Sequence, residues 1–232
     1  MKRRLVLFDI DGTLLLSGGA GRRAILAAVA EEVGPAEGLE RVRFDGKTDP
    51  QIVAELLAAA GRPQPPDAGL VEAVLTRYVA HLERDLAVNA HRAEVMPGVP
   101  GLIAALEREP VVVLGLLTGN VAPGAALKLR AVRLDPERFL VGAYGSDHAV
   151  RAALPPIAAR RAEPHFGRVP RGEEVVIIGD TPDDVRCGQG IRARAIAVAT
   201  GSYATEELRA AGAYAVFPDL GDTAAVCEAI LE

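Results

Sequence analysis

The sequence predicts an α/β fold: a doubly wound, mostly parallel sheet with an all-helical domain inserted after the first strand. Three observations predict it. From Met96-Pro97 onward, short apolar runs alternate with helical patterns, which implies a parallel sheet covered on both faces. Between Gly19 and Val88 nothing resembles a long strand, and the apolar spacing is helical. Two buried-looking strands far apart in the chain, Leu5 to Phe8 and Glu174 to Ile178, each run into carboxylates. Open parallel sheets gather their ligand at such strand ends. The core is therefore assigned to residues 1–16 and 97–232, and the helical insertion to 17–96.

In order, Leu5-Val6-Leu7-Phe8 leads into Asp9-Ile10-Asp11-Gly12-Thr13. Alternate residues of an extended segment share one face, so Asp9 and Asp11 point together if the extension holds. Gly12 suggests a turn, which leaves a carbonyl near Asp11 facing a ligand. Two carboxylates this close each tend to hold a proton unless a cation lies between them. Mg2+, which prefers oxygen ligands, meets that need. The plain alternative is a hairpin in which Asp11-Gly12 is the turn and Leu14-Leu15-Leu16 the returning strand. The second acidic strand end, Gly179-Asp180-Thr181-Pro182-Asp183-Asp184, argues against it.

Ser17-Gly18-Gly19-Ala20-Gly21 and Met96-Pro97 are the natural hinges of the insertion. Its helices are expected over Arg22 to Val33, Gln51 to Ala60 and Ala68 to Val88, with Asp49 as a cap and Pro50 in the first turn. Gly19-Ala20-Gly21-Arg22-Arg23-Ala24 matches the Gly-x-Gly-x-x-Ala pattern of dinucleotide binders. That gives a rival reading, a dinucleotide-binding module using Gly19, Gly21 and Ala24, which requires a strand directly before the glycines. Lys47 ends a loop just before a helix and is the cation of the insertion best placed to face a substrate. The plain reading of Lys47 is an exposed lysine beside a cap.

A helix from about Gly101 to Glu109 precedes the strand Val111 to Leu116, which leads to Thr118-Gly119-Asn120. A hydroxyl, a glycine amide and a carboxamide ahead of a helix form an anion-binding corner; the alternative is that Thr118 or Asn120 merely caps the helix begun by Pro123. That helix runs to about Arg133. A weaker strand near Phe139 to Tyr144 and a helix from Pro155 to Ala162 follow. After Glu174 to Ile178 come a helix from Pro182, the strand Arg194 to Val198, a helix from Thr205 to Ala211, the strand Ala213 to Phe217 and a last helix from Thr223 to Leu231.

Composition narrows the function classes. The chain has 232 residues, 50% hydrophobic, with no Trp and a net charge of −5, enough for a large aliphatic core. Mixed charge without a basic face argues against nucleic-acid binding. Cys187 and Cys227 have no metal-binding spacing and suggest no disulfide framework. No apolar run approaches the ~18 residues of a membrane span, and the start lacks signal-peptide character. The expectation is a soluble, cytoplasmic protein, monomer or homodimer.

Taken in order, Asp-x-Asp-Gly-Thr, Thr-Gly-Asn and Gly-Asp-Thr-Pro-x-Asp, with a helical insertion after the first, the chain resembles the haloacid dehalogenase-like hydrolases, and within them the phosphatases of the phosphoglycolate phosphatase type. The resemblance implies a Rossmann-like core, a mobile helical cap, and a Mg2+-dependent phosphatase acting on a small phosphorylated metabolite. It implies that Asp9 attacks phosphorus and becomes an aspartyl phosphate, and that Asp11 is the acid and then the base. It implies Mg2+ ligands from the Asp9 carboxylate, the Asp11 carbonyl and Asp180, with Asp184 close by, and phosphoryl binding by Thr118, Gly119 and Asn120. A phosphomutase would share this chemistry. The family normally carries a lysine before the helix that precedes the last acidic strand. Here that region is Arg151-Ala152-Ala153-Leu154-Pro155, and Arg151 is the substitute by position. Arginine stays charged and grips phosphate with parallel hydrogen bonds.

Overall fold

The structure, a computed structural model, describes residues 3–232. Its strands are β1 (Arg4–Phe8), β2 (Leu15–Leu16), β3 (Glu94–Val95), β4 (Val112–Leu117), β5 (Val141–Ala143), β6 (Val175–Gly179), β7 (Arg194–Val198) and β8 (Ala215–Phe217). Helices α1 (Ala20–Val33), α2 (Asp49–Ala59) and α3 (Ala68–Asn89) fall between β2 and β3. Helices α4 (Val99–Leu106), α5 (Ala122–Ala131), α6 (Leu154–Arg161), the single-turn α7 (Glu163–Phe166), α8 (Pro182–Cys187), α9 (Thr205–Ala210) and α10 (Thr223–Leu231) intersperse the later strands.

Six strands make one sheet in the order β5-β4-β1-β6-β7-β8, every neighbouring pair parallel. The α/β class and the parallel sheet are as the sequence predicts. A strand buried on both faces reads as an unbroken apolar run, and β1 and β6 do. Val6, Phe8, Leu114, Leu116, Val176 and Ile178 pack on one face with Leu102, Ile103, Val226 and Ile230 of α4 and α10. Leu5, Leu7, Val113, Val175 and Ile177 pack on the other with Leu154 and Ala158 of α6. Each fully buried side chain of this size contributes about 1.5–3 kcal/mol, so burial on both sides fixes β1 at the centre. From β1 the chain builds outward to β4 and β5, then crosses to β6 on the other side. The carboxyl end of β1 is thus the switch point, where a crevice opens.

Helices α1 to α3 bury a stripe of their own. Ile25, Ala28 and Val29 meet Ile52, Val53 and Leu56, and Val74, Tyr78, Leu82 and Leu86 follow one another at four-residue steps down α3.

Two rival readings fail in the structure, and two details depart from expectation, the cap of α2 and the start of α4. Leu15–Leu16 does not return along β1 as the hairpin reading requires. It pairs antiparallel with β3, Leu15 opposite Val95 and Leu16 opposite Glu94. The glycines 18–21 follow this two-residue ribbon strand rather than a strand of the parallel sheet, so the context a dinucleotide loop requires is missing. Thr48, not Asp49, caps α2: its side chain accepts from the Gln51 amide at 3.3 Å, and Asp49 is the first helical residue. Helix α4 starts at Val99 because Pro100 fits the first turn, where its missing N–H costs nothing. No helix among the described residues is long and apolar enough to cross a membrane.

Candidate functional site

At the end of β1, Asp9 still belongs to the sheet by its backbone, its amide donating to the Ile178 carbonyl at 2.9 Å. The chain then turns tightly: the amides of Leu14 and Leu15 both donate to the Ile10 carbonyl, at 2.9 and 3.0 Å. Gly12 takes φ +83°, and a Cβ there would collide with the Asp180 carboxylate, so this turn needs glycine on both counts. Thr13 Oγ1 donates to Asp180 Oδ1 at 3.0 Å, and Thr200 Oγ1 donates to the Gly12 carbonyl at 2.5 Å. The turn is thereby bonded to the loops that follow β6 and β7.

Asp9, Asp180 and Asp184 come together, one carboxylate oxygen from each lying within 4.8 Å of the others, and all three are buried. Asp184 is fixed by the start of α8, where Thr181 N and Oγ1 donate to its Oδ2 at 3.0 and 2.7 Å. Its Oδ1 accepts from Arg151, whose Nη2 also lies 3.0 Å from Asp9 Oδ1. Burial, together with the nearby charges of Asp184 and Asp11, pushes the Asp9 carboxyl up to about 7 against the pull of Arg151. Burial and the neighbouring Asp184 and Asp9 hold Asp180 well above the usual carboxylate range. Three carboxylates face one guanidinium here, so ionising all three would leave two negative charges uncompensated in a buried place. An all-oxygen donor set with that surplus fits a hard divalent cation. Among the described residues, this is the group of acids that could hold a metal ion.

Asp11 faces away from that cluster. Its carboxylate accepts from Asn120 Nδ2 at 2.7 Å and from Lys128 Nζ at 2.6 and 2.8 Å. Thr118, at the end of β4, is fully buried, and its Oγ1 accepts from Asn120 Nδ2 at 2.8 Å. Gly119 permits a close approach between layers. Its carbonyl accepts from the Asp49 amide at 2.7 Å, and a Cβ there would run into the Lys47 carbonyl. Arg151 occupies the turn before α6, and its Nε is buried without a hydrogen-bond partner. Lys47 pairs with Glu55 and is partly buried. Asp9, Asp11, Lys47, Thr118, Gly119, Asn120 and Arg151 all line one cavity of about 210 Å3 between the helical block and the sheet. Asp180 and Asp184 adjoin it through Asp9.

Sequence reasoning missed three groups. Lys128 and Tyr78 fall within expected helices, and Asp49 is read there only as a cap. Asp49 accepts from the Val121 amide at 2.8 Å, and burial pushes its carboxyl up to about 6 against the nearby charge of Lys128. Burial and the Asp49 charge hold the Tyr78 phenol well above its ordinary value. A signal for Lys128 was present: with Ala125 and Leu129 it lies on the buried side of α5, a cation in an otherwise apolar stripe.

A family model described as haloacid dehalogenase-like hydrolase matches residues 3–191. Phosphoglycolate phosphatase of Cereibacter sphaeroides is 36% identical over 105 residues, which cover 45% of this chain and 46% of the relative. The match thus spans about half the length of that relative. Among solved structures, a hydrolase from Pseudomonas syringae superposes with a TM-score of 0.75 at 23% identity, covering 100% of both chains. CbbY from Rhodobacter sphaeroides, solved with phosphate, gives 0.73 at 22% identity, covering 95% of this chain and 96% of that one. At these identities the two structures carry the fold.

Proposed function

The chain belongs to the haloacid dehalogenase-like hydrolases, and from that premise we propose that it is a Mg2+-dependent phosphatase of small phosphorylated metabolites working through an aspartyl phosphate on Asp9. The observation that carries this reading is the cluster of Asp9, Asp180 and Asp184 at the carboxyl end of the central strand, with Arg151 across two of them. The phosphoglycolate phosphatase relative and a CbbY variant solved with xylulose-(1,5)bisphosphate point the substrate class the same way.

Phosphoryl transfer is mostly positioning and neutralisation of charge. The Asp9 carboxylate attacks phosphorus, and the adjacent charge of Arg151 favours its ionised form against the effect of burial. The Arg151 guanidinium, the Thr118 hydroxyl and the Gly119 amide are the donors for the phosphoryl oxygens. Asp11 protonates the departing alcohol and then takes a proton from the water that opens the aspartyl phosphate. Asp9, Asp180 and the Asp11 carbonyl would hold Mg2+, with Asp184 beside it, and the ion would neutralise charge shared by carboxylates and phosphoryl oxygens. Residues 17–96 act as the cap: they roof the cavity and supply Lys47 toward the substrate, and closure excludes water until the alcohol has left.

The test is hydrolysis of 4-nitrophenyl phosphate by the purified protein with Mg2+, its loss with EDTA, and its loss in Asp9→Asn with the circular dichroism spectrum unchanged. Turnover that survives Asp9→Asn would reject the reading.

A further inference from the structure

Lys128 is a buried ammonium whose partners account for all of its donors. Its Nζ bonds both Asp11 oxygens, at 2.8 and 2.6 Å, and Asn120 Oδ1 at 2.6 Å, and an ammonium has three N–H groups. The Asn120 carboxamide is likewise fully engaged, its two N–H groups going to Asp11 Oδ2 at 2.7 Å and Thr118 Oγ1 at 2.8 Å. Asp11 is therefore gripped along one edge by groups from α5 and the loop before it. Its side chain stays 42% exposed while that of Lys128 is 5% exposed, so the carboxyl keeps one edge open toward the cavity it lines.

Burying an ammonium is unfavourable unless its partners offset the lost hydration. Between Ala125 and Leu129 an apolar residue would pack at less cost. Lys128 lies too deep to serve as a surface charge, and it does not line the cavity. Its fixed partner is Asp11. The helical block closes over it: the Lys128 ammonium and the Tyr78 hydroxyl both lie against Gly21, where a Cβ would come within 3.2 and 3.8 Å of them. Asp49 also feels its charge.

We propose that Lys128 is a positioning residue for the acid–base step, holding the Asp11 carboxyl so that its open edge meets the ester oxygen of the substrate. The assignment rests on the phosphatase reading above. In the first half-reaction the bond from an Asp9 oxygen to phosphorus forms, the bond from phosphorus to the ester oxygen breaks, and the Asp11 proton moves to that oxygen. In the second, water oxygen bonds to phosphorus, its proton returns to Asp11, and the bond from Asp9 to phosphorus breaks. Lys128 touches none of the reacting atoms.

Leaving groups separate positioning from structure. The test compares 4-nitrophenyl phosphate with whichever alkyl monoester the wild-type protein turns over fastest among sugar and hydroxy-acid phosphates. Nitrophenolate departs without a proton, whereas an alkoxide needs one. In Lys128→Met the alkyl kcat/KM should fall about 100-fold, a usual share for a placed general acid, while the aryl value stays near wild type. Lys128→Arg, which keeps the charge, should recover part of the alkyl rate. Equal losses on both substrates, or no loss, would overturn the assignment. If Lys128→Met does not fold, Lys128→Gln is read the same way; failure of both to fold would make Lys128 structural and also overturn it. Wild-type protein inactive on every phosphate would instead reject the phosphatase reading itself.

Discussion

Arg151 lies 3.0 Å from Asp9 and donates at the same time to Asp184, so a single guanidinium bridges two acids of the cluster. A lysine has the charge but not the planar fork. Arg151→Lys should therefore fold and keep residual activity, with kcat/KM toward 4-nitrophenyl phosphate down about 10-fold. Arg151→Met should lose about 100-fold or more, the scale of removing one transition-state donor. Steady-state kinetics on both variants checks the order.

The metal-free protein should grow more stable as the medium is acidified from pH 7.5 to 5.5. Asp9, at about 7, and Asp180 bind protons more tightly folded than unfolded. Their contribution is complete below the ordinary carboxylate range and is lost as pH rises through the folded value. Mg2+ should reverse the slope, adding stability at pH 7.5 that fades in acid. Thermal unfolding with Mg2+ and with EDTA at both pH values measures this, and Asp180→Asn should abolish the Mg2+ increment.

Asp49 carries a separate part of that pH dependence, since its carboxyl stands at about 6 when folded. Asp49→Asn keeps an acceptor for the Val121 amide and removes the buried charge, so it should be neutral or stabilising at pH 7.5 and should flatten the profile near pH 6. Asp49→Ala leaves that amide without its partner and should cost about 1–3 kcal/mol. Urea unfolding of both variants at pH 5 and 7.5 distinguishes the two effects.

Gly119→Ala should push the Lys47 to Asp49 segment off the core, because the added methyl meets the Lys47 carbonyl. Faster proteolysis at Ser17 to Gly21 and near Met96, with a drop in kcat/KM, is the expected result. Unchanged proteolysis would mean that the segment accommodates the methyl.

The strands and the acids at their ends were legible because a strand buried on both faces has an apolar signature, and carboxylates break it abruptly after Phe8 and Gly179. Arg151 could be placed by its position before α6. Lys128 and Tyr78 were not legible in the same way, because a helical pattern says which face is buried and nothing about what that face meets. Their partners, Asp11 and Asp49, lie far away in the chain, and only the folded contacts join them. The β2–β3 pairing was hidden for a different reason: two-residue strands have too few side chains to show alternation.

That pairing constrains the helical block. Both chain crossings between block and sheet, at Leu15–Leu16 and Glu94–Val95, are hydrogen-bonded to each other, so neither can be displaced alone. The stitched pair holds the block where Thr48 Oγ1 donates to the Ala149 carbonyl and the Asp49 amide to the Gly119 carbonyl; under the cap reading proposed above, a block returning on that pair would rebuild the same cavity each time.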